Sequence, residues 1–278
     1  MIRVEGLALH PVKSTRVRPV GTATVEPWGF AGDRRWMVVG ADGECLTARE
    51  HRRLLTITAD TAATASVTSA LRLRAPGLPD LDVEEPDGEP VAVTVHGRGL
   101  DAVAAPPEAG AWVGAVVDVP GVRLVHVARP RPLNPAHSTP GDATAFADAY
   151  PVTLASAVSL RRLDEWVTHT ALQRGEEPGR PLEVSRFRPN LLVDGGLEPF
   201  EEDHWRLVRV GDVTFRVAKP VDRCVMTTID PVTGRGGHEP IRTLARHRAW
   251  DGATWFAIQL IPEVRGTIAV GDAVSPER

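Results

Sequence analysis

The chain is expected to be a mainly β protein with a few helices, of the α+β class. Three observations carry that expectation. Short segments of alternating apolar and polar residues recur along both halves of the chain. Turn formers separate them, with 25 glycines and 24 prolines among 278 residues. Only three stretches show helical rather than strand periodicity. Many short strands suit a barrel or a sandwich better than a parallel α/β sheet.

From the N-terminus, Ile2–Leu9, Val20–Glu26 and Arg35–Val39 each read as a strand, and Ala41-Asp42-Gly43-Glu44 supplies an Asp-Gly hairpin turn. Leu54–Ala59, Val67–Leu73, Leu81–Glu84 and Val91–Val95 continue the strand pattern. Pro107–Val117 reads as a helix, with proline at its start and Trp112, Val113, Val116 and Val117 apolar. Arg129–Gly141 holds Pro130, Pro132, Pro135 and Pro140, which excludes regular helix or a central strand. It is the expected linker or covering loop, dividing the chain into domains at 1–128 and 129–278. Beyond it come a short strand at Val152–Leu154 and a helix over Ser156–Thr168 with Leu160, Leu163 and Val167 on one face. Strands follow at Asn190–Val193, Arg206–Val210, Val213–Ala218 and Val225–Ile229. A helix at Pro240–Arg248 and strands at Trp255–Leu260 and Gly266–Val270 complete the reading.

Composition narrows the function. The net charge of −4 does not favour nucleic acid or an anionic membrane surface as partner. No apolar run approaches the roughly 18 residues of a membrane span, and the opening Met-Ile-Arg-Val-Glu-Gly reads as strand rather than signal peptide. A reducing, cytoplasmic setting is expected, because the two cysteines, Cys45 and Cys224, form no disulfide framework. Two cysteines cannot ligate a four-cysteine iron–sulfur cluster, and the nine histidines lack zinc-site spacing.

Cys224 stands out because Arg223 is adjacent and Lys219 lies five residues upstream. Positive charge favours the thiolate, the form that binds soft metals; on local sequence alone the inert reading, a small buried hydrophobe, is the favoured one for Cys224. Asp222, two residues from the thiol, would share its strand face if the chain were extended there. Lys13-Ser14 at the end of the first strand would suit a phosphate, as a point charge beside a rotatable hydroxyl, or form an ordinary turn. Arg34 in Gly32-Asp33-Arg34-Arg35-Trp36 could reach an anion bidentately, and Leu46-Thr47-Ala48-Arg49 places another arginine at a strand end. In Phe187-Arg188-Pro189-Asn190 the proline biases Arg188 to extended backbone, which would point Arg188 and Asn190 to one side. Together these residues outline a positively charged mouth near Cys224.

Taken in order, Pro11-Val12-Lys13-Ser14, Gly32-Asp33-Arg34-Arg35-Trp36, Leu46-Thr47-Ala48-Arg49, Phe187-Arg188-Pro189-Asn190 and Asp222-Arg223-Cys224 resemble the MOSC proteins. The branch they resemble joins an N-terminal MOSC β-barrel domain to the MOSC domain and includes the mitochondrial amidoxime-reducing component and its bacterial relatives. The resemblance implies a molybdenum cofactor (Mo-molybdopterin), with Cys224 as the metal ligand. It places Lys13, Ser14, Arg34, Ser156, Arg188 and Asn190 on the cofactor, and gives Asp222 a part in orienting substrate or moving a proton. It implies reduction of small N-hydroxylated compounds (amidoximes, hydroxylamines, N-hydroxylated bases), with electrons from a separate ferredoxin- or flavoprotein-type donor. Other branches suggest an alternative, a molybdenum cofactor or sulfur carrier without turnover of its own. Where relatives show Ser or Thr before the proline of the Asp148–Pro151 turn, this chain has Ala149 and Tyr150, so contacts there are expected through the backbone.

Overall fold

The computed structural model describes residues 1–278 and is built mostly of strands, with three α-helices. Seven strands, numbered in chain order, close a barrel: β1 (Ile2–Leu9), β2 (Val152–Ser156), β3 (Leu191–Asp194), β4 (Leu207–Val210), β5 (Val213–Asp222), β6 (Ala253–Val264) and β7 (Ala273–Glu277). The order around it is β2–β3–β1–β7–β4–β5–β6, and β6 returns to β2. Closure leaves no unpaired sheet edge. Only β2 and β3 run parallel, which demands a crossover; α2 (Ala157–Gln173) supplies it. The barrel is filled by inward-facing side chains including Val4, Leu7, Leu154, Val193, Val208, Phe215 and Leu260, all nearly or wholly buried. β1 belongs to this barrel although it opens the chain, and Thr22–Glu26 pairs with Gly266–Ala269 near the other end.

Between these segments lies the remaining β-structure. An antiparallel four-stranded sheet orders Trp36–Val39, Arg123–Val127, Arg98–Ala104 and Pro90–Val95. A three-stranded sheet joins Thr58–Asp60, Leu71–Arg74 and Leu81–Val83. α1 (Pro107–Val117) buries Ala109, Trp112, Val113 and Val117 in a core with Trp36, Leu54, Leu71 and Leu124. α3 (Ile241–His247) and α2 cover the outside of the barrel through Leu163, Phe187, Leu244 and Phe256.

Two expected strands are 3-10 turns in whole or in part. Leu54–Ala59 splits into a turn at Arg52–Thr56 and a strand from Thr58, the turn closed by Thr56 Oγ1 donating 2.8 Å to the Arg53 carbonyl. Val225–Ile229 likewise curls at Val225–Thr228. Thr227 donates to the Cys224 carbonyl from N (3.2 Å) and Oγ1 (3.1 Å), and Thr228 Oγ1 donates 2.8 Å to Val225. Threonine hydroxyls competing for backbone acceptors defeat the strand that β-branched composition suggests. Cys224 therefore sits just past the end of β5, at the mouth of a turn.

Candidate functional site

A cavity of about 220 Å³ opens where β1 and β5 end and the N-terminal loops meet the barrel. Seven cationic side chains line it, Lys13, Arg34, Arg49, Arg186, Arg188, Lys219 and Arg223, against two carboxylates, Asp148 and Asp222. Such an imbalance suits an anionic ligand. Cys224 also lines it and is exposed, whereas Cys45 is buried and burial pushes its thiol up to about 11.

The N-terminal wall is held by backbone rather than by regular strand pairing. Lys13 N donates 2.8 Å to the Trp36 carbonyl, and Arg34 N donates 2.8 Å to that of His10. Ser14 and Arg34 both adopt left-handed backbone, with φ of 68° and 51°. Non-glycine residues held there are uncommon and concentrate at ligand sites. The Lys13 ammonium is buried; it donates 2.8 Å to the Phe146 carbonyl and pairs with Asp148. Arg34 donates to Asp33, to Asn190 Oδ1 at 3.1 Å and to the Arg188 carbonyl at 3.3 Å. Behind it Asp33 Oδ1 accepts from His10 N at 2.6 Å. Burial alone would raise the Asp33 carboxyl, but the Arg34 charge and the His10 contacts outweigh it and hold it below the usual carboxylate range.

The barrel wall departs from expectation at Arg188. Its φ of 51° and ψ of 44° are left-handed, not the extended backbone that Pro189 favours. The 3-10 turn Val184–Phe187 ends there, with Arg188 as its C-cap and its N donating 3.2 Å to Ser185. Arg188 Nη1 donates 2.8 Å to Thr15, while Nη2 is buried without a partner. Burial, followed by the neighbouring Arg34 charge, draws this guanidinium down to about 9. Asn190 does not share the cavity surface with Arg188. It is buried one layer behind, its Oδ1 accepting from Arg34 and from Thr153 N (3.2 Å), its Nδ2 donating 3.1 Å to Ala8.

Ser156 is likewise not brought into the cavity. It is fully buried as the N-cap of α2, where its Oγ accepts from Ser159 N at 3.4 Å. The turn at Asp148–Pro151 presents a side chain after all. Asp148 Oδ2 accepts from Arg49 at 2.9 Å, and Oδ1 accepts from His96 at 3.1 Å and from Lys13. Partial desolvation by the cavity wall would raise this half-exposed carboxyl, but the Lys13 charge, the His96 and Lys13 hydrogen bonds and the Arg49 charge hold it well below the ordinary range. Arg131, from the proline-rich linker, donates to the carbonyls of Ala147 and Asp148, which fixes that turn.

Cys224 receives its cation from an unexpected quarter. Arg223, its neighbour, turns inward, donating 2.7 Å to the Phe256 carbonyl and 2.9 Å to that of Phe187; burial draws it down to about 9. Lys219 lies 5.2 Å from the centre of the Trp255 ring. The group on the sulfur is Arg49, whose Nε lies 3.4 Å from Sγ. Pairing between β5 and β6 slips at Val217/Lys219 and again at Pro220/Asp222. Such irregularities re-aim side chains, and Lys219, Val221, Asp222 and Arg223 all reach the cavity wall instead of alternating. Asp222 is exposed at its rim and accepts from Thr254 N at 3.4 Å. The sequence places Arg49 in the cationic mouth but does not show it as the partner of the sulfur, and of Asp148 and His96 only the first has a local signal, the Asp148–Pro151 turn.

The donor set bears on which metal group could bind. No group of three or more His, Cys, Asp or Glu side chains converges anywhere in the chain. One exposed thiol within a ring of cations suits an anionic metal complex that brings most of its own ligands. Arg186 Nε, Arg188 Nη2 and Arg223 Nη2, around the same cavity, are buried without hydrogen-bond partners.

The chain is 29% identical over 290 residues to mitochondrial amidoxime-reducing component 1 of Mus musculus, covering 98% of this chain and 81% of that protein. Identity to the Homo sapiens protein of that name is 28%, over 98% and 82% of the two chains. It is also 29% identical over 271 residues to molybdenum cofactor sulfurase of Anopheles gambiae, covering 93% of this chain and 34% of that longer protein. Residues 1–120 match the MOSC N-terminal beta barrel domain and residues 142–275 the MOSC domain, so that the chain, with Cys224 in the second of these, belongs to the MOSC family.

Proposed function

We propose that this protein binds a molybdenum cofactor through Cys224 and reduces small N-hydroxylated compounds to the corresponding amines or amidines. The observation that carries the reading is an exposed thiol in a cavity with seven cationic and two anionic side chains. Cys224 would supply the protein's sulfur ligand. Lys13, Ser14, Arg34 and Arg188 would hold the anionic remainder of the cofactor, and Asn190 would act from behind by fixing Arg34. When bound, the cofactor supplies the two-electron chemistry that cleaves an N–O bond, which consumes two protons and releases water. Asp222 is exposed beside the thiol and takes the part of orienting the hydroxylated nitrogen or passing a proton. Electrons come from a separate ferredoxin- or flavoprotein-type donor. No helix is long and apolar enough to cross a membrane.

The test is molybdenum and pterin analysis of protein made in a cofactor-producing host, together with turnover of a benzamidoxime-type substrate. Cys224→Ser should abolish turnover with the fold retained, because a hydroxyl is a poor ligand for a soft metal centre. Full turnover by the serine variant would overturn the ligand assignment. Similarity to a molybdenum cofactor sulfurase supports a second reading, a cofactor or sulfur carrier. A carrier exchanges its cofactor with added acceptor protein and turns over nothing, whereas the reductase keeps it through purification.

A further inference from the structure

We infer that His96 is a positioning residue of this site, acting through Asp148 to hold Arg49 against the Cys224 sulfur. His96 lies at the tip of the hairpin joining Pro90–Val95 to Arg98–Ala104, where Val95 pairs with Arg98. Its φ is 52° and that of Gly97 is 72°, the pair of positive values a tight two-residue hairpin turn requires. Asn, Asp or Gly is the usual occupant of the first position. A histidine there takes on backbone strain while projecting its ring towards the cavity.

The path from that ring is continuous. His96 Nε2 lies 3.1 Å from Asp148 Oδ1; a carboxylate only accepts, so Nε2 carries the proton. Lys13 donates to the same carboxylate oxygen. The other oxygen, Oδ2, accepts from Arg49 Nη2 at 2.9 Å, and Arg49 Nε lies 3.4 Å from Cys224 Sγ. Half-exposed Asp148 would otherwise be free to turn into the cavity mouth. With His96 and Lys13 fixing one oxygen, the second is aimed at Arg49, and the guanidinium fork transmits that aim to the sulfur. The inference rests on Cys224 being the reactive group of the site, and not on what the thiol binds.

The experiment is the rate of Cys224 carboxamidomethylation by iodoacetamide at pH 7. It uses the full chain prepared without molybdenum, with melting temperature recorded alongside. His96→Ala and Asp148→Asn should each change the rate at least threefold, and His96→Gln, which can still donate to Asp148, should stay within twofold of wild type. The double variant His96→Ala/Asp148→Asn should match Asp148→Asn alone, since the two residues act in series. A wild-type rate for His96→Ala, or additive effects in the double variant, would overturn the inference. Because the readout needs no metal, it stands or falls separately from the molybdenum reading. His96 is exposed at a hairpin tip, and an intact melting temperature separates positioning from loss of fold.

Discussion

Arg49 Nε lies 3.4 Å from Cys224 Sγ, joining residues 175 positions apart and bridging the N-terminal part of the chain to the MOSC domain. Arg49 is anchored by Asp148 and is only partly exposed, so this donor is held in place rather than free to rotate. Arg49→Ala should lower kcat/KM for an N-hydroxylated substrate by about tenfold or more, the loss expected for a charge-assisted hydrogen bond at the reacting centre. Arg49→Lys should recover only part of it, because an ammonium cannot donate to sulfur and carboxylate through one planar fork. Steady-state kinetics with melting temperatures as a fold control decide the matter, and unchanged kcat/KM in Arg49→Ala would remove this residue from the site.

The two thiols should differ sharply in reactivity. Cys224 is exposed in a cationic cavity, while Cys45 is packed among Val39, Val93 and Phe146 with its thiol pushed up to about 11. Reaction of the native protein with iodoacetamide at neutral pH should label Cys224 alone, and labelling in denaturant should reach both, as peptide mass spectrometry would show. Native labelling of Cys45 would mean that its core opens readily.

How far the site could be read in advance depended on the kind of residue. Lys13, Ser14, Arg34, Arg188, Asp222 and Cys224 were recognisable from short local motifs, and all six line one cavity. Element reading also worked where the local signal was long, as in the strand β1 and the helix α1, whose bounds match the structure residue for residue. It failed where side chains compete for backbone groups, as at Thr227 and Thr228. It failed too at Arg98–Ala104, where Arg98, Gly99 and Asp101 weaken the strand pattern although the strand closes a tight hairpin with Pro90–Val95, and at Ala273–Glu277, whose pairing comes from a distant partner rather than from local propensity. The charge beside Cys224 was credited to Arg223 because proximity in sequence is visible, whereas the 175-residue step to Arg49 is a property of the fold. Asp148 and His96 were missed for the same reason: their roles exist only once three separate segments meet.

Lys13→Ala should weaken retention of the cofactor rather than alter its chemistry. The ammonium is buried against Phe146 and Asp148, so its removal also leaves Asp148 short of one partner at the cavity wall. Molybdenum and pterin per chain after gel filtration should fall several-fold, with turnover per bound metal staying near wild type. Unchanged cofactor content would exclude Lys13 as an anchor.

Ser156→Ala separates a capping residue from a cofactor contact. The hydroxyl caps α2 and does not reach the cavity. Its loss should cost about 1 kcal/mol of stability, the usual value for removing an N-cap. Urea denaturation should record that cost while cofactor content remains at wild-type level. A drop in bound pterin without a drop in stability would restore Ser156 to the binding site.

Glu202 gives the fold a distinctive pH signature. It is fully buried, Oε2 accepts 2.8 Å from Ser159 Oγ, and Oε1 has no partner. Burial raises its carboxyl from the ordinary 4.5 to about 7. Between those values the folded state binds the extra proton, so stability falls as pH rises through the window, and the cost is complete above the folded value. His10 runs the other way: burial, then the Arg34 and Arg188 charges, lower it to about 3, so its contribution grows from there up to about its ordinary 6.5. Since His10 is common to both proteins, comparing wild type with Glu202→Gln isolates the glutamate. The amide can still accept from Ser159, and the variant should gain on wild type by up to about two orders of magnitude in folding constant between pH 4 and pH 8, at roughly tenfold per pH unit across the window. Urea midpoints at pH 4, 5.5 and 8 provide the measurement; a difference between the two proteins that does not change with pH would show that Glu202 stays in one protonation state throughout.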